Sequence, residues 1–149
     1  MKNIFLSLLA SITLLHPLKA QTIHDTLYMA VDNNDQGYLN RLLNQGANVN
    51  YVKVLDDGTG TTPLITAVKK GNVDIIKVLI AHRVDVNLKD GSGNTALYYA
   101  ALKGNKDAAK LLLENGARPE NEQKVLAAAK QSGNKDLAAY IEKWLGQEK

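Results

Sequence analysis

Two stretches of the chain, residues 57–89 and 90–122, repeat each other at a period of 33 residues. The clearest match is between Thr62–Ala67 and Thr95–Ala100. A fixed period of this length predicts stacked supersecondary units, each of which buries its apolar face only against its neighbours. Stacked units of this kind usually present a surface to a partner, so the repeat favours binding over catalysis.

The apolar spacing within a unit predicts two short helices. Leu64, Ala67 and Val68 share one helical face at i, i+3, i+4 spacing. The run 73–80 is apolar around most of its circumference, as a helix packed on both sides by neighbouring units requires. Short polar residues and glycines stand where these helices should begin and end. The expected capping residues are Thr62 with Pro63, Gly71, Asn72, Gly104 and Asn105.

The connections between units are rich in turn-forming residues. The tetrads Asp57–Gly60 and Asp90–Gly93 match each other in the alignment of the repeats. The second tetrad follows Val84–Asn87, where apolar and polar residues alternate, which predicts a short extended stretch. Each unit should therefore consist of a helix, a turn, a helix and a projecting hairpin.

This arrangement resembles the ankyrin repeat, a family of 33-residue units with a Thr-Pro-Leu-His-x-Ala signature. The family's later signature, Gly-Ala-Asp-Val-Asn, stands here as Gly46–Asn50 and Arg83–Asn87. The family histidine, which ties neighbouring units by hydrogen bonds, is replaced by Ile65 and Tyr98. The resemblance implies an all-α repeat solenoid with short hairpin fingers and degenerate terminal units. The units expected are about 21–56, 57–89, 90–119 and 120–149.

Two intervals depart from the period. The signature alanines Ala30 and Ala67 are 37 residues apart, so four extra residues are expected within Tyr51–Asp57. Ala100 and Ala129 are only 29 residues apart, which predicts a shortened or missing third hairpin. The first hairpin should therefore be the longest of the three.

The lengthened segment Tyr51–Gly60 carries Val52, Val54 and Leu55, although it should project from the body of the protein. Exposed apolar residues on a loop often serve binding. The alternative is that Val52 or Val54 packs against the first unit. We expect this segment to contact a protein partner.

The first twenty residues have the pattern of a cleaved signal peptide. Lys2 forms a short positive region, the stretch 4–15 is apolar, and the stretch 16–20 ends in the small residue Ala20. The apolar run is shorter than the roughly 20 residues that span a bilayer. The alternative is a first helix packed on the domain. A single lysine before the apolar run is typical of bacterial export, so we expect a periplasmic protein, with a secreted protein as the alternative.

The net charge and the cysteine content exclude some classes of partner and of membrane attachment. Removing residues 1–20 leaves 16 basic and 15 acidic residues, a formal charge of +1. Such a balance gives no support for nucleic-acid binding, which depends on many phosphate contacts. The sequence contains no cysteine, which excludes disulfides and a lipidated cysteine after the signal. We therefore expect no stable membrane anchor.

No arrangement of residues predicts catalysis, a metal site or a cofactor. The two histidines beyond the signal, His24 and His82, are isolated in sequence, and His82 suits the C-terminal end of a helix. The segment 56–60 lacks the acidic alternation of a calcium loop and is better explained as a hairpin turn. The remaining alternative is a hydrolase that would use Asp56, Asp57 and His82.

The resemblance implies a binding surface on the concave side, built from the fingers and the exposed end of each first helix. Two tyrosines in this region could either pack between units or bind a partner. Packing is the better explanation for Tyr98, and the two explanations are equally good for Tyr99. Asp32 and Asn33 would continue the surface into the first unit. The candidate partner-binding residues are Lys53, Leu55, Asp56, Thr59, Thr61, Lys69, Lys70, Lys89, Ser92, Asn94, Tyr99, Leu102 and Lys103.

The function expected from these features is a non-enzymatic protein–protein interaction module in the bacterial periplasm. It would act as a scaffold, an inhibitor or immunity protein, or a support for an enzyme, and would be monomeric. A structural protein that associates with itself is the main alternative, and a hydrolase is the distant one.

Overall fold

The computed structural model describes residues 23–147. The signal peptide predicted for residues 1–20 lies outside this range. Along the chain the elements are α1 (23–32), α2 (Gln36–Asn44), β1 (Lys53–Val54), β2 (Gly60–Thr61), α3 (Pro63–Lys70), α4 (Val73–Ala81), α5 (Ala96–Leu102), α6 (Lys106–Glu114), α7 (Glu122–Gln131) and α8 (Lys135–Gln147).

The helices form a two-layer stack, and the predicted all-α repeat solenoid is confirmed. Helices α3, α5 and α7 pack side by side in an inner layer, while α2, α4, α6 and α8 form the outer layer. The core lies between the layers and is filled by large aliphatic side chains such as Leu64, Leu97 and Ile76. The signature alanines, including Ala67 and Ala100, are fully buried in the inner layer, where a small side chain lets neighbouring helices approach closely.

The predicted helix ends are largely confirmed. Thr62 Oγ1 accepts a hydrogen bond from the Ile65 amide at 3.1 Å, and Pro63 occupies the first turn of α3. Gly71 ends α3 with φ of 74°, a left-handed conformation that favours glycine. Asn105 caps α6 by accepting from the Ala108 amide at 3.0 Å.

The capping role predicted for Asn72 is wrong. Its side chain makes no capping bond to α4, and its Nδ2 instead donates to the carbonyl oxygen of Val31 at 3.4 Å. The Val31 carbonyl is in the last turn of α1, where carbonyl groups lack partners within the helix. Asn72 therefore ties the second unit to the first.

The first two connections form hairpins with the same turn. In finger 1, which we define as residues 51–61, the Leu55 amide donates to the Thr59 carbonyl at 2.7 Å. In finger 2, residues 88–95, the Asp90 amide donates to the Asn94 carbonyl at 2.9 Å. Gly58 and Gly93 take the left-handed position of their turns, with φ of 79° and 74°.

This register corrects the predicted placement of the four extra residues. When the two turns are aligned, Leu55 is equivalent to Asp90 and Gly58 to Gly93, which is an offset of 35 residues rather than 33. Two of the extra residues therefore lengthen the strand before the turn, and the other two, Gly60 and Thr61, lengthen the strand after it. As a result β1 and β2 pair in finger 1, whereas finger 2 has only the single bridge between Lys89 and Thr95.

The two fingers touch each other through their backbones. The Gly91 amide donates to the Gly60 carbonyl at 2.9 Å. A Cβ atom on Gly91 would lie 2.5 Å from the Gly60 nitrogen, so only glycine fits at this contact.

Two further expectations concern the other connections. Val84 and Val86 are buried and alternate with exposed Asp85 and Asn87, as predicted, but the chain turns at Val86 and Asn87 instead of staying extended. The third connection, 115–121, forms no strand or bridge, which confirms that its hairpin is missing.

Candidate functional site

Finger 1 is attached to the first unit by the hydroxyl group of Tyr28. This hydroxyl lies 2.7 Å from the carbonyl oxygens of both Tyr51 and Thr61, which share its one proton as acceptors, and it accepts from the Lys53 amide at 3.2 Å. Burial raises the pKa of Tyr28, so the hydroxyl keeps its proton and remains a donor. The base of the hairpin is thus fixed while its tip extends outward.

A groove of about 290 Å³ lies between finger 1 and the end of α3. We call it the finger groove. Its walls combine lysine side chains with apolar and hydroxyl groups. The lining residues are Tyr28, Asp32, Lys53, Leu55, Thr61, Thr66, Lys69 and Lys70.

Five of the predicted binding residues meet in the finger groove, namely Lys53, Leu55, Thr61, Lys69 and Lys70. One of them differs from expectation, because Thr61 is only 6% exposed and its Oγ1 lies 3.4 Å from that of Thr66. Its alternating position on β2 turns its side chain toward the body of the protein. Thr61 therefore supports the groove from below and offers little surface to a partner.

The three lysines of the finger groove have different surroundings. Lys70 pairs with Asp32 at 3.1 Å, and both side chains are largely exposed. Lys53 lies over the ring of Tyr28, with its Nζ 5.4 Å from the ring centroid. Lys69 lies over the ring of Tyr99 at 4.1 Å and is 3.8 Å from Asp90.

Asp90 connects the finger groove to finger 2. Its Oδ2 accepts from the Tyr99 hydroxyl at 2.5 Å, and its Oδ1 accepts from the amides of Ser92 and Asn94 at 3.0 Å. Burial alone would raise the pKa of Asp90, but these hydrogen bonds and Lys69 outweigh it and hold the pKa below its ordinary value. The carboxylate is therefore ionised and fastens finger 2 to the inner layer.

A second, smaller groove of about 200 Å³ lies beyond finger 2. Lys89 pairs with Glu120 at 2.6 Å across its rim. Lys124 donates to Asn94 Oδ1 at 2.6 Å and lies 4.8 Å from the ring centroid of Tyr98. Two predicted binding residues, Lys89 and Asn94, thus lie at this groove and are engaged within the molecule.

The remaining predicted residues lie outside both grooves. Asp56 is at the exposed tip of finger 1, and Thr59 donates its amide and hydroxyl to Asp57. Ser92 is exposed at the tip of finger 2. Leu102 is half-buried and Lys103 exposed, and they lie at the end of α5.

Sequence reasoning missed Tyr28, Asp90 and Lys124 as parts of this surface. Tyr28 occupies the repeat position of Ile65 and Tyr98, where the family has its histidine. That alignment could have identified it as the residue that ties the first two units together. Lys124 gives no comparable signal, because its partners Asn94 and Tyr98 belong to another unit. Asp90 lies in a tetrad that the sequence explains as a hairpin turn, so its contact with Tyr99 could not be anticipated.

The groups of the alternative hydrolase do not converge in the described structure. His82 follows α4, and its ring Nε2 lies 3.0 Å from Asn40 Oδ1. Asp57 holds its own turn, and hydrogen bonds from Thr59 lower its pKa. His24 stacks on Tyr51 with ring centroids 4.2 Å apart and accepts from the Asn48 amide. His24 and His82 thus each have a structural contact.

Large apolar side chains that remain exposed in the described residues are concentrated on finger 1. Val52, Val54 and Leu55 are 44%, 69% and 39% exposed, and the fourth such residue is Met29 on α1. Met29 occupies the repeat position of Thr66 and Tyr99. Residues that protrude in this way are typical of surfaces that contact another molecule.

The family model described as ankyrin repeats in three copies matches residues 27–123. The chain belongs to the ankyrin repeat family. Ankyrin repeats are generally protein–protein interaction modules, and the family is typically non-enzymatic. A search of curated proteins gave no significant match.

Two observations concern other classes of site. Within residues 23–147, no helix combines the length and apolar character needed to cross a bilayer. The same range holds no cluster of three or more histidine, cysteine or carboxylate side chains suited to a metal ion.

Proposed function

We propose that this ankyrin repeat protein is a non-enzymatic module of the bacterial periplasm that holds one partner protein through finger 1 and the finger groove. The observation that carries the proposal is the exposure of Val52, Val54 and Leu55 on a hairpin that is fixed at its base. A loop held in place by the scaffold loses little conformational entropy when it binds.

The C-terminal end of α3 extends this surface. Lys69 and Lys70 lie beside Leu55 at the finger groove, so charged groups border an apolar contact. A protein interface commonly has this composition, with an apolar centre and a polar rim. The role as a scaffold, inhibitor or enzyme support depends on the partner.

The proposal is tested by capture of the partner from periplasmic extract. In one variant Lys53–Leu55 is replaced by Gly-Ser-Gly. In the control variant Lys77, Lys110 and Glu114, which are exposed on the outer layer, are replaced by alanine. Captured proteins are identified by mass spectrometry, and folding is checked by circular dichroism.

We expect the wild type and the control variant to capture one protein in stoichiometric amount and the folded finger variant to lose it. Equal capture by the finger variant would contradict the proposed surface. Failure of the wild type to capture any protein under several growth conditions would contradict the proposed function.

The periplasmic location is supported by the pattern of residues 1–20. Expression in a bacterial host, followed by fractionation and N-terminal sequencing, should give a periplasmic protein that begins at Gln21. A cytosolic protein that retains residues 1–20 would contradict this location.

We also propose that the protein acts as a monomer. The exposed apolar residues on finger 1 are few, and obligate homodimers usually bury much larger apolar areas. Sedimentation at micromolar concentration should give the mass of a single chain, and a dimer would favour the self-associating alternative.

A further inference from the structure

The volume of the finger groove indicates what kind of ligand it can hold. At about 290 Å³ it lies at the lower limit of clefts that enclose a whole small molecule. It can take one or two side chains from a larger partner. Its chemistry should therefore indicate which side chains the partner supplies.

The charge around the groove is predominantly positive. Lys53, Lys69 and Lys70 contribute three ammonium groups, and Asp32 is the one carboxylate among the lining residues. Among the described residues no carboxylate forms an ion pair with Lys53, which contacts the face of Tyr28 instead. An incoming carboxylate could bind Lys53 without breaking an existing ion pair.

The other two lysines are also accessible. The pair of Lys70 with Asp32 is exposed, so it is worth little and can be exchanged for a partner's carboxylate. Lys69 is 39% exposed, whereas its neighbour Asp90 is only 4% exposed and already accepts three hydrogen bonds. Lys69 can thus contact a ligand while Asp90 stays in place.

An apolar surface lies next to these charges. On β1 and its continuation, Lys53 and Leu55 share the side that lines the groove, while Val52 and Val54 alternate with them. Leu55, which is 39% exposed, therefore forms a small apolar patch at the groove, whereas the ring of Tyr28 is buried beneath Lys53. A side chain that contacts this patch must be apolar.

From this juxtaposition we infer that the finger groove binds an acidic segment of the partner protein in which a carboxylate side chain stands beside an aliphatic one. The inference rests on the proposed function and specifies the chemistry of the partner. The carboxylate contacts Lys53 and Lys70, and the aliphatic side chain contacts Leu55.

A phosphate-bearing partner suits the groove less well. The lining residues include no arginine, whose planar group binds phosphate in a bidentate manner. Asp32 at the rim would repel a dianion more strongly than a single carboxylate.

The inference is tested with blocked synthetic peptides and the purified protein. The probe is Gly-Ser-Leu-Glu-Leu-Glu-Ser-Gly, and the matched peptide has glutamine in place of glutamate. Binding is followed by NMR chemical shifts of the protein amides. The variant Lys53→Gln is compared with Lys77→Gln, which removes an exposed lysine on the outer layer.

We expect the glutamate peptide to shift the amides of Leu55, Thr66 and Lys70. The glutamine peptide should bind about threefold to tenfold more weakly, and Lys53→Gln should weaken binding of the glutamate peptide about threefold, as expected for exposed ion pairs. Added salt should weaken binding further. Lys77→Gln should bind like the wild type.

Three outcomes would overturn the inference. The first is equal binding of the two peptides, or no binding of either. The second is a set of shifts centred on Lys89 and Lys124 instead of finger 1. The third is displacement of the peptide by inorganic phosphate where free glutamate at the same concentration has no effect. Because partner capture is measured separately, the proposed function could survive any of these results.

Discussion

Finger 1 and finger 2 contain the same turn but are held in different ways. In each finger, the amide of one residue donates to the carbonyl of the residue four positions later, and a glycine in the left-handed conformation lies between the two. Finger 2 is fastened along its length by Asp90, Tyr99 and the Lys89–Glu120 pair. Finger 1 is fastened mainly at its base, by Tyr28.

The difference shows how one loop type can serve two purposes. Two added residues on each strand carry the tip of finger 1 away from the inner layer and expose Val54 and Leu55. In finger 2 the position equivalent to Leu55 is occupied by Asp90, whose carboxylate accepts a hydrogen bond from the Tyr99 hydroxyl on α5. The added residues and the exchange of aspartate for leucine at this position thus separate the exposed loop, which we propose binds a partner, from a structural brace.

The largest expected effect comes from the base of finger 1. Tyr28→Phe should lower the free energy of unfolding by about 2 kcal/mol, because the hydrogen bonds of the hydroxyl with the buried Thr61 carbonyl and the Lys53 amide are lost. Urea unfolding measures the change. Tyr140→Phe, at a half-buried tyrosine of α8, serves as the control and should cost much less. Equal losses in the two variants would mean that Tyr28 does not fix the finger.

The contact between the fingers should give the next largest effect. Gly91→Ala should lower the free energy of unfolding by about 1.5 kcal/mol, because the new methyl group would overlap the backbone of Gly60. Gly146→Ala in α8 is the matched control, since an added Cβ there meets no neighbour and alanine favours the helix. A neutral Gly91→Ala would show that the fingers do not depend on this contact.

The brace of finger 2 should depend on pH. Because the pKa of Asp90 is lower in the folded protein than the ordinary 3.8, its ionised form stabilises the fold above that value. Asp90→Asn should therefore cost about 1 kcal/mol at neutral pH. The cost should disappear as the pH falls through the folded pKa. Urea unfolding of both proteins between neutral pH and pH values below the Asp90 pKa measures this cost. A cost that grows as the pH falls would contradict the stabilising role of ionised Asp90.

The smallest effect is expected at the tip of finger 1. Val54→Ser should change the free energy of unfolding by less than about 0.5 kcal/mol, because Val54 is 69% exposed. Leu55→Ser should change stability similarly but weaken binding of the glutamate peptide, since Leu55 lines the finger groove. Equal peptide affinity for the two variants would place the apolar contact elsewhere on the finger.

Much of the fold could be predicted because its determinants are local. The spacing of Leu64, Ala67 and Val68 predicts an inner helix, and the long interval between Ala30 and Ala67 predicts a long first finger. The position of the added residues could not be predicted. The tetrads at Asp57 and Asp90 look alike, and strand pairing determines which glycine takes the left-handed position.

The candidate site was predictable only in part, for a similar reason. Lys53, Leu55, Lys69 and Lys70 could be located from their repeat positions, and the structure brings them to one groove. The role of Tyr28 depends on a contact between units, which no single repeat encodes. The role of Asp90 depends on how its hairpin folds against Tyr99 of the same unit. The burial of Thr61 likewise follows from the register of the hairpin.

The hydrogen bond from Gly91 to Gly60 also limits how this protein can be altered by engineering. Grafting a new loop in place of finger 2 would remove the glycine that fits against finger 1, and grafting one in place of finger 1 would remove the carbonyl group that accepts its hydrogen bond. Exchanging both hairpins together, as a cassette from 51 to 95, would preserve the junction, and Tyr28 outside that cassette would still have to hold the base of finger 1.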